Sequence, residues 1–479
     1  MRVSFDEKRL KVISNITYTL FSNIISFLIS AVITFVVPKQ LGSESYGYFQ
    51  LYLFYVSYTG FLHFGWADGV FLRYGGEYYD RLDRSKFSGQ FWLYSSIEMA
   101  LGLLICLAGY NFASPPDKAI VLALTGISVF LLLPRTLLQY VLQGTNRIKE
   151  YASLTVMEKA IYIMVVVLSL VAGTHSYIPM ILADLLGKAC ALLYSVYQCR
   201  DIITTKPAGA HEAIQEAQAN ISVGIKLMFS NIASMLIIGF VRLSIENQWD
   251  VTTFGKVSLT MSVSNLLMVF INAVAMVMFP MLRRTNSDKL SIIYNTMRTC
   301  LMIPLLGMLV FYYPAKVILS AWLPQYADSL VYMALLFPMC VFESKMSMLI
   351  NTYLKTLRKE KWLLIVNVTT VSISVLLTTF TTYWLHNLDL AVASIVFLLA
   401  FRCVFAELLL STVLDVNVKT DIILEIALTI IFIGASWFVG GITGLAIYAV
   451  AYLIYLFIKR NDVAFVLAIM LNMLRRRNA

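Results

Sequence analysis

The chain has 479 residues, of which 59% are hydrophobic and 13% charged, with a formal net charge of +10. So low a charged share excludes a soluble domain of this length, where about 25% is usual. The positive balance could suggest nucleic acid, but its placement follows membrane topology instead.

The charged start MRVSFDEKRLK leads into an apolar run at 12–37 with no small-residue cleavage site. It reads as a retained membrane helix and not as a signal peptide. Further runs of bilayer-crossing length are predicted at 46–70, 88–111, 118–143, 152–173, 177–198, 222–246, 253–281, 291–313, 328–354, 362–384, 390–415, 421–438 and 440–458, each near the roughly 20 residues that a span needs. The fold class is therefore an all-α polytopic membrane protein of about fourteen transmembrane helices. The longest gap, 200–222, is too short for a separate soluble domain. The apolar tail 463–473, followed by Arg475, Arg476 and Arg477, is too short to span and is expected at the membrane surface. With the N-terminus inside, Lys and Arg crowd the inner segments, while the outer ones hold only Lys39, Lys118, Lys256 and Lys316. That alternation puts both termini in the cytoplasm.

Residues 21–51 align without a gap on 229–259, with ten of 31 positions identical, among them Phe21/Phe229, Asn23/Asn231, Ser26/Ser234 and Gly47/Gly255. Span 7 thus repeats span 1 with the same orientation, a parallel duplication. The turn TNRIKEY (145–151) matches TLRKEKW (356–362) in the corresponding place. Three parts follow: a six-helix bundle at 1–200, a second at 201–416, and two extra helices with a basic tail at 417–479.

Charges lie within these spans. The cations are Arg135, Lys159, Lys188, Lys345 and Arg402, with Arg242 nearer the outer face; the acids are Glu98, Glu158, Asp184, Glu343 and Glu407, with Glu246 near Arg242. Each costs about 2.5–3.5 kcal/mol at the bilayer centre, so they need a hydrated cavity or partners. Asp184 and Lys188, like Arg242 and Glu246, are four apart and share a helix face. Glu343 and Lys345 point about 200° apart, so Lys345 needs another partner or water. Arg135 has no acid in its own span. It follows Pro134, a kink-former, and shares a face with Thr125, Ser128, Gln139 and Gln143. That stripe suits either an aqueous lumen or a polar neighbour. The stripe Asn15, Thr19, Ser22, Ser26 and Ser30 in span 1 suits either a lumen or helix packing. Thr34 in the first repeat stands where the second has Arg242.

Glu98 sits mid-span with no basic residue nearby in its helix. It is either an ion-coupling carboxylate or a protonated acid bonded to a neighbouring helix; Glu343 and Glu407 are the other coupling candidates. The six cysteines form no CxxC and read as small buried hydrophobes. The four histidines show no metal spacing, and there is no phosphate loop, HExxH or nucleophile elbow. A non-enzymatic transporter without cofactor or metal is expected. Tyrosines at span ends are read as an interfacial belt.

The segments LGSESYGYFQLY (41–52), GWADGVFLRYGGEYY (65–79), LQGTNRIKEYA (142–152) and SNIASMLIIGFVRL (230–243), in this order, resemble the O-antigen-type polysaccharide flippases. These belong to an exporter superfamily that also holds multidrug and toxin extruders and lipid II flippases. The resemblance covers nearly the whole chain, and no single motif is specific. It implies a fold like that of the extruders, in a bacterial inner membrane. It implies movement of an undecaprenyl-pyrophosphate-linked oligosaccharide to the outer leaflet by alternating access. In that picture Arg135, Lys345, Arg402, Arg242, Lys159 and Lys188 line a cationic cavity, and an H+ or Na+ gradient supplies the energy. Polysaccharide polymerase machinery is the partner it suggests; nucleic acid is not. The competing readings are a cation-coupled drug exporter, disfavoured because 12–37 holds no Asp or Glu, and a membrane polymerase or glycosyltransferase, disfavoured by short outer segments.

Overall fold

The computed structural model describes residues 27–283 and 290–464, all of whose regular elements are helical. Most of the span 1 stripe, the first part of the repeat and the basic tail lie outside them. Ten described helices are long and apolar enough to cross a membrane, and a bent pair makes an eleventh. Exposed apolar side chains such as Leu104, Leu376 and Phe457 coat their outer faces, the surface a helix presents to lipid. The chain divides at Ile232/Ala233 into two compact units, a boundary inside a helix.

The N-terminal unit follows the apolar helix Phe27–Leu41 with α1 (Ser43–Thr59), α2 (Trp66–Tyr74), α3 (Arg84–Phe112), α4 (Pro116–Gly144), α5 (Ile148–Val171) and α6 (Ile178–Gln198). Predicted span 2 is broken: a short 3-10 turn at Gly60–His63 separates α1 from α2, and Phe64 and Gly65 both take positive φ. Gly65 is required there twice over, since a Cβ would also sit 2.5 Å from the Ile225 nitrogen. Pro134 lies inside an unbroken α4. α4 is the central helix of the unit, packed by α1, α2, α3, α5 and α6.

α7 (Ala210–Gln248) has 39 residues, about 58 Å at 1.5 Å per residue. It starts twelve residues before the span predicted at 222, and its polar first part extends the N-terminal unit. There α2 and α7 cross with almost no separation. A Cβ on Gly224 would meet the Gly65 oxygen at 1.9 Å, and one on Gly69 the Asn220 oxygen at 1.9 Å. Between apolar helices in lipid, such close backbone packing is a main source of association.

The C-terminal unit takes the rest of α7, then α8 (Val251–Arg283), α9 (Leu290–Met308), α10 (Tyr312–Trp322), the bent pair, α12 (Glu360–Thr378), α13 (Leu388–Leu414), α14 (Lys419–Gly434) and α15 (Gly441–Ile458). The bent pair joins Ser329–Leu336 to α11 (Met339–Thr356) at 40°. Within α11 the residues Lys345–Ile350 form a π-helical turn, a widening that is frequent at functional positions.

Within each unit, loops that the charge pattern assigns to the same side, inner or outer, meet one another. In the N-terminal unit the inner loops meet: Gly76 N donates to Gly144 O at 2.9 Å, and Ser88 Oγ to Thr205 O at 2.8 Å. The outer loops meet likewise, with Gln40 Nε2 donating to Leu170 O at 2.7 Å and Tyr177 OH to Asp117 at 2.6 Å. In the C-terminal unit Ser291 Oγ donates to Leu414 O at 2.7 Å on the inner side, and Tyr332 OH to Asp389 at 2.9 Å on the outer.

Candidate functional site

The N-terminal unit holds three groups of polar side chains in its apolar interior. In the first, Lys188 pairs with Asp184 one turn earlier. Lys188 also donates to Ser128 Oγ at 3.0 Å, and Tyr52 OH donates to Asp184 at 2.6 Å. One helical turn of α6 thus ties α1 and α4 together, and the pairing expected from the i,i+4 spacing is present.

The second group centres on Arg135. Its guanidinium pairs with Glu158 on α5, so the polar stripe of α4 has a polar neighbour. The pair is not sealed: the Glu158 side chain is 16% exposed, and Arg135 Nε has no hydrogen-bond partner among the described residues. Lys159 follows Glu158 directly, is half-buried, and enters no hydrogen bond or ion pair among the described residues. Lys159, one position on, points about 100° away from Glu158 around α5.

The third group runs along α3. Glu98 is 2% exposed, and its Oε2 has no hydrogen-bond partner among the described residues. Gln90 Nε2, Tyr94 OH and Ser95 Oγ, on the same helix at helical spacing, are unpartnered in the same sense. Gln90 Oε1 accepts from Trp66 Nε1 at 3.1 Å and Asn220 Nδ2 at 2.6 Å. An unsatisfied buried polar atom costs about 1–3 kcal/mol, so a row of them points to a role in binding a proton, cation or water.

In the C-terminal unit the charges form closed sets. Lys345 pairs with Glu407 and with Glu425, the latter at 2.7 Å. Arg298 Nε donates to Glu407 at 2.7 Å and Nη1 to Asp421 at 2.6 Å. Its Nη2 lies 2.8 Å from Glu425 as an ion pair outside hydrogen-bond angles. Tyr294 OH donates to Glu407 at 2.9 Å, and Lys459 pairs with Asp421. The side chains of Arg298, Lys345, Glu407 and Glu425 are 0–3% exposed. Five elements, α9, α11, α13, α14 and the end of α15, meet at this one network. Separately, Arg402 donates to Asn367 at 2.9 Å, Glu343 at 3.1 Å and Ser234 at 2.7 Å. Arg242 donates to Ser258 at 3.0 Å and lies over the Phe254 ring.

The six cations are thus distributed over both units, and at least four of them, Arg135, Lys188, Lys345 and Arg402, are in ion pairs. Glu343 and Glu407 are occupied by cations; Glu98 is not. Lys345 does find partners away from Glu343, as the helical angle required. Arg298, Asp421 and Glu425 were not legible as site residues. Arg298 lies near the inner end of its span, where it counts as a topology signal. The four-residue spacing of Asp421 and Glu425 on an otherwise apolar helix is the cue that marks them. No group of His, Cys, Asp and Glu suited to a metal occurs among the described residues.

A second feature is an apolar groove of about 550 Å³ along α13 and α14, lined by Val396, Ala400, Phe401, Val404, Ile426 and Ile430 among others.

A family model described as polysaccharide biosynthesis protein matches residues 12–286. Among solved structures, the chain is similar to the lipid II flippase MurJ in an inward closed conformation, with TM-score 0.66 and 13% identity, covering 94% of this chain and all of the other. It is also similar to an inward-facing multidrug resistance MATE transporter of the MOP superfamily, with TM-score 0.59 and 13% identity, covering 80% and 92%. A MOP superfamily transporter from Pyrococcus furiosus described as having a binding pocket of reverse polarity aligns at TM-score 0.50 and 12% identity, covering 84% and 96%. No curated protein sequence matches. These structural similarities show the predicted fold class, a MATE-like and MurJ-like membrane protein.

Proposed function

Because the chain belongs to the polysaccharide biosynthesis protein family, we propose that it is a flippase that moves undecaprenyl-pyrophosphate-linked oligosaccharides from the cytoplasmic to the outer leaflet of a bacterial inner membrane by alternating access. The observation that carries this reading is the family match over residues 12–286, on a chain that is a multi-pass membrane protein with the fold of MurJ and MATE transporters. The apolar groove along α13 and α14 supports it: a prenyl tail can stay in contact with hydrocarbon there while the polar headgroup crosses. In the N-terminal unit, Arg135 and Lys159 are the pyrophosphate-binding cations of this reading. Arg135 presents a guanidinium whose geometry matches phosphate oxygens, and its single acid partner is open enough to be exchanged for one. Lys188 and Arg402 are further candidates. Lys345 and Glu407 belong instead to the framework, because every charge there is already matched.

An anionic headgroup leaving the cell is favoured by a potential positive outside, by about 2.3 kcal/mol per charge per 100 mV. The emptied site must still return. Glu98, buried and incompletely bonded, is the group proposed to take up a proton or cation on that step. The test is flipping of a fluorescent undecaprenyl-pyrophosphate oligosaccharide in proteoliposomes under an imposed pH or Na+ gradient. Wild-type protein is expected to respond to one gradient, and Glu98→Gln to flip more slowly and lose that response. A wild type that responds no more than Glu98→Gln removes Glu98 from coupling.

A further inference from the structure

The N-terminal unit has a cavity of about 1070 Å³, just above the roughly 300–1,000 Å³ of small-molecule sites. It lies where the inner ends of α2, α4 and α6 converge. It is built from the segments LRYGGEYYD (72–80) and LQGTNR (142–147), the stretches that carried the family resemblance, and from Tyr197–Asp201. We infer that this cavity is a saccharide-docking vestibule that binds the sugar portion of the lipid-linked substrate before translocation, through tyrosine faces and uncommitted carboxylates and amides. The inference rests on the flippase reading and on the cytoplasmic placement of these loops.

Its frame is hydrogen-bonded, and Arg147 and Asp201 are already paired, with Glu150 and Arg84. Arg147 donates to Gln198 O at 3.2 Å, to Gln198 Oε1 at 3.1 Å and to Glu150 at 3.1 Å. Its guanidinium lies 4.6 Å from the centroid of Tyr79. Tyr79 OH donates to Asp201 at 2.8 Å, and Asp201 also pairs with Arg84 at 3.1 Å. The Gly76–Gly144 hydrogen bond locks the two loops together. Gly76 takes φ +99°, and Asn146 takes φ +59°, a conformation that glycine and asparagine tolerate best.

Apart from Arg200, what remains uncommitted on the walls is carboxylate, amide and tyrosine ring. The carboxylates of Glu77 and Asp80 and the side-chain amides of Gln143 and Asn146 have no partner among the described residues. Tyr78 and Tyr197 are 69% and 64% exposed, each with an arginine over one face, Arg81 at 5.2 Å and Arg200 at 5.5 Å. Carboxylates accept from hydroxyls, and amides both donate and accept. A tyrosine ring offers a flat apolar face with a polar tip. That set suits a neutral or N-acetylated sugar, with alternating hydroxyls and an apolar C–H face. It suits the pyrophosphate less well: Arg147 already makes three hydrogen bonds, and the carboxylates of Glu77 and Asp80 offset the one other lining cation, Arg200, and would repel an anion. Headgroup recognition is thereby divided, with sugars read at the vestibule and phosphate at the intramembrane cations.

The test uses the full chain in nanodiscs against an array of short soluble bacterial oligosaccharides carrying neither lipid nor phosphate. Wild type is expected to retain a subset. Tyr78→Ala, Tyr197→Ala and Asp80→Asn are expected to weaken that binding about tenfold or more, while Tyr78→Phe and Tyr197→Phe, which keep the ring, restore it. In proteoliposomes loaded with a lipid-linked form of a bound glycan, the same alanine variants should raise the half-saturating substrate concentration and leave the maximal rate near wild type. No wild-type binding on the array, alanine variants that bind like wild type, or a loss confined to maximal rate would each overturn the vestibule. Wild-type vesicles that flip nothing would refute the flippase reading, and the array would still decide the cavity.

Discussion

In the N-terminal unit Arg135 meets one carboxylate, Glu158, whose side chain is 16% exposed. In the C-terminal unit Arg298 and Lys345 meet Glu407, Glu425 and Asp421, with no side chain of the central four more than 3% exposed. Arg135 and Lys345 lie in the fourth span predicted for each repeat, and their surroundings differ. The difference lies in the added helix α14, which brings Asp421 and Glu425. A cation with two matched, dry acids is expensive to disturb and serves as framework. A cation with one accessible acid can trade it for a substrate oxygen. The same contrast holds for the acids: Glu407 is saturated by Arg298, Lys345 and Tyr294, whereas Glu98 has an oxygen with no bond among the described residues.

The largest expected effect breaks the closed network. Lys345→Met leaves Glu407 and Glu425 facing Arg298 alone and should cost about 3–5 kcal/mol, read as a large loss of thermal stability in detergent. Adding Glu425→Gln rebalances the charges, and the double variant should recover much of that loss, a coupling of about 0.5–3 kcal/mol. If Lys345→Met alone is as stable as wild type, the network is not framework. A smaller effect is expected at Arg135. Arg135→Ala should lower stability by only about 1–3 kcal/mol, because Glu158 is 16% exposed rather than sealed. Arg135→Lys should fall between the alanine variant and wild type in flipping activity, since charge stays while the forked geometry is lost. Equal stability losses at Arg135 and Lys345 would erase the contrast between the two units.

Much of the architecture is legible in composition and periodicity. Apolar runs and loop charges give a polytopic helical protein with alternating ends, and within each unit the loops converge as that alternation requires. The break in span 2 at Phe64 and Gly65 was hidden, because the run 46–70 stays apolar through it; it exists to let α2 cross α7 at Gly69 and Gly224. For the charges, same-helix pairs such as Asp184 and Lys188 can be read from spacing. Arg135 with Glu158 and Arg402 with Glu343 cannot, because a one-dimensional pattern does not say which helices are neighbours. Arg298 was the most deceptive residue: its place near a span end mimics a topology signal, yet it is buried under three carboxylates.

The direct test of this division is the flipping rate of a fluorescent undecaprenyl-pyrophosphate oligosaccharide in proteoliposomes holding equal amounts of wild type, Arg135→Ala, or the rebalanced Lys345→Met/Glu425→Gln. The account predicts that wild type flips the lipid well above protein-free vesicles, that Arg135→Ala loses about tenfold or more while remaining folded, and that the double variant stays close to wild type. An Arg135→Ala protein that flips at the wild-type rate, with the double variant inactive yet folded, would contradict it.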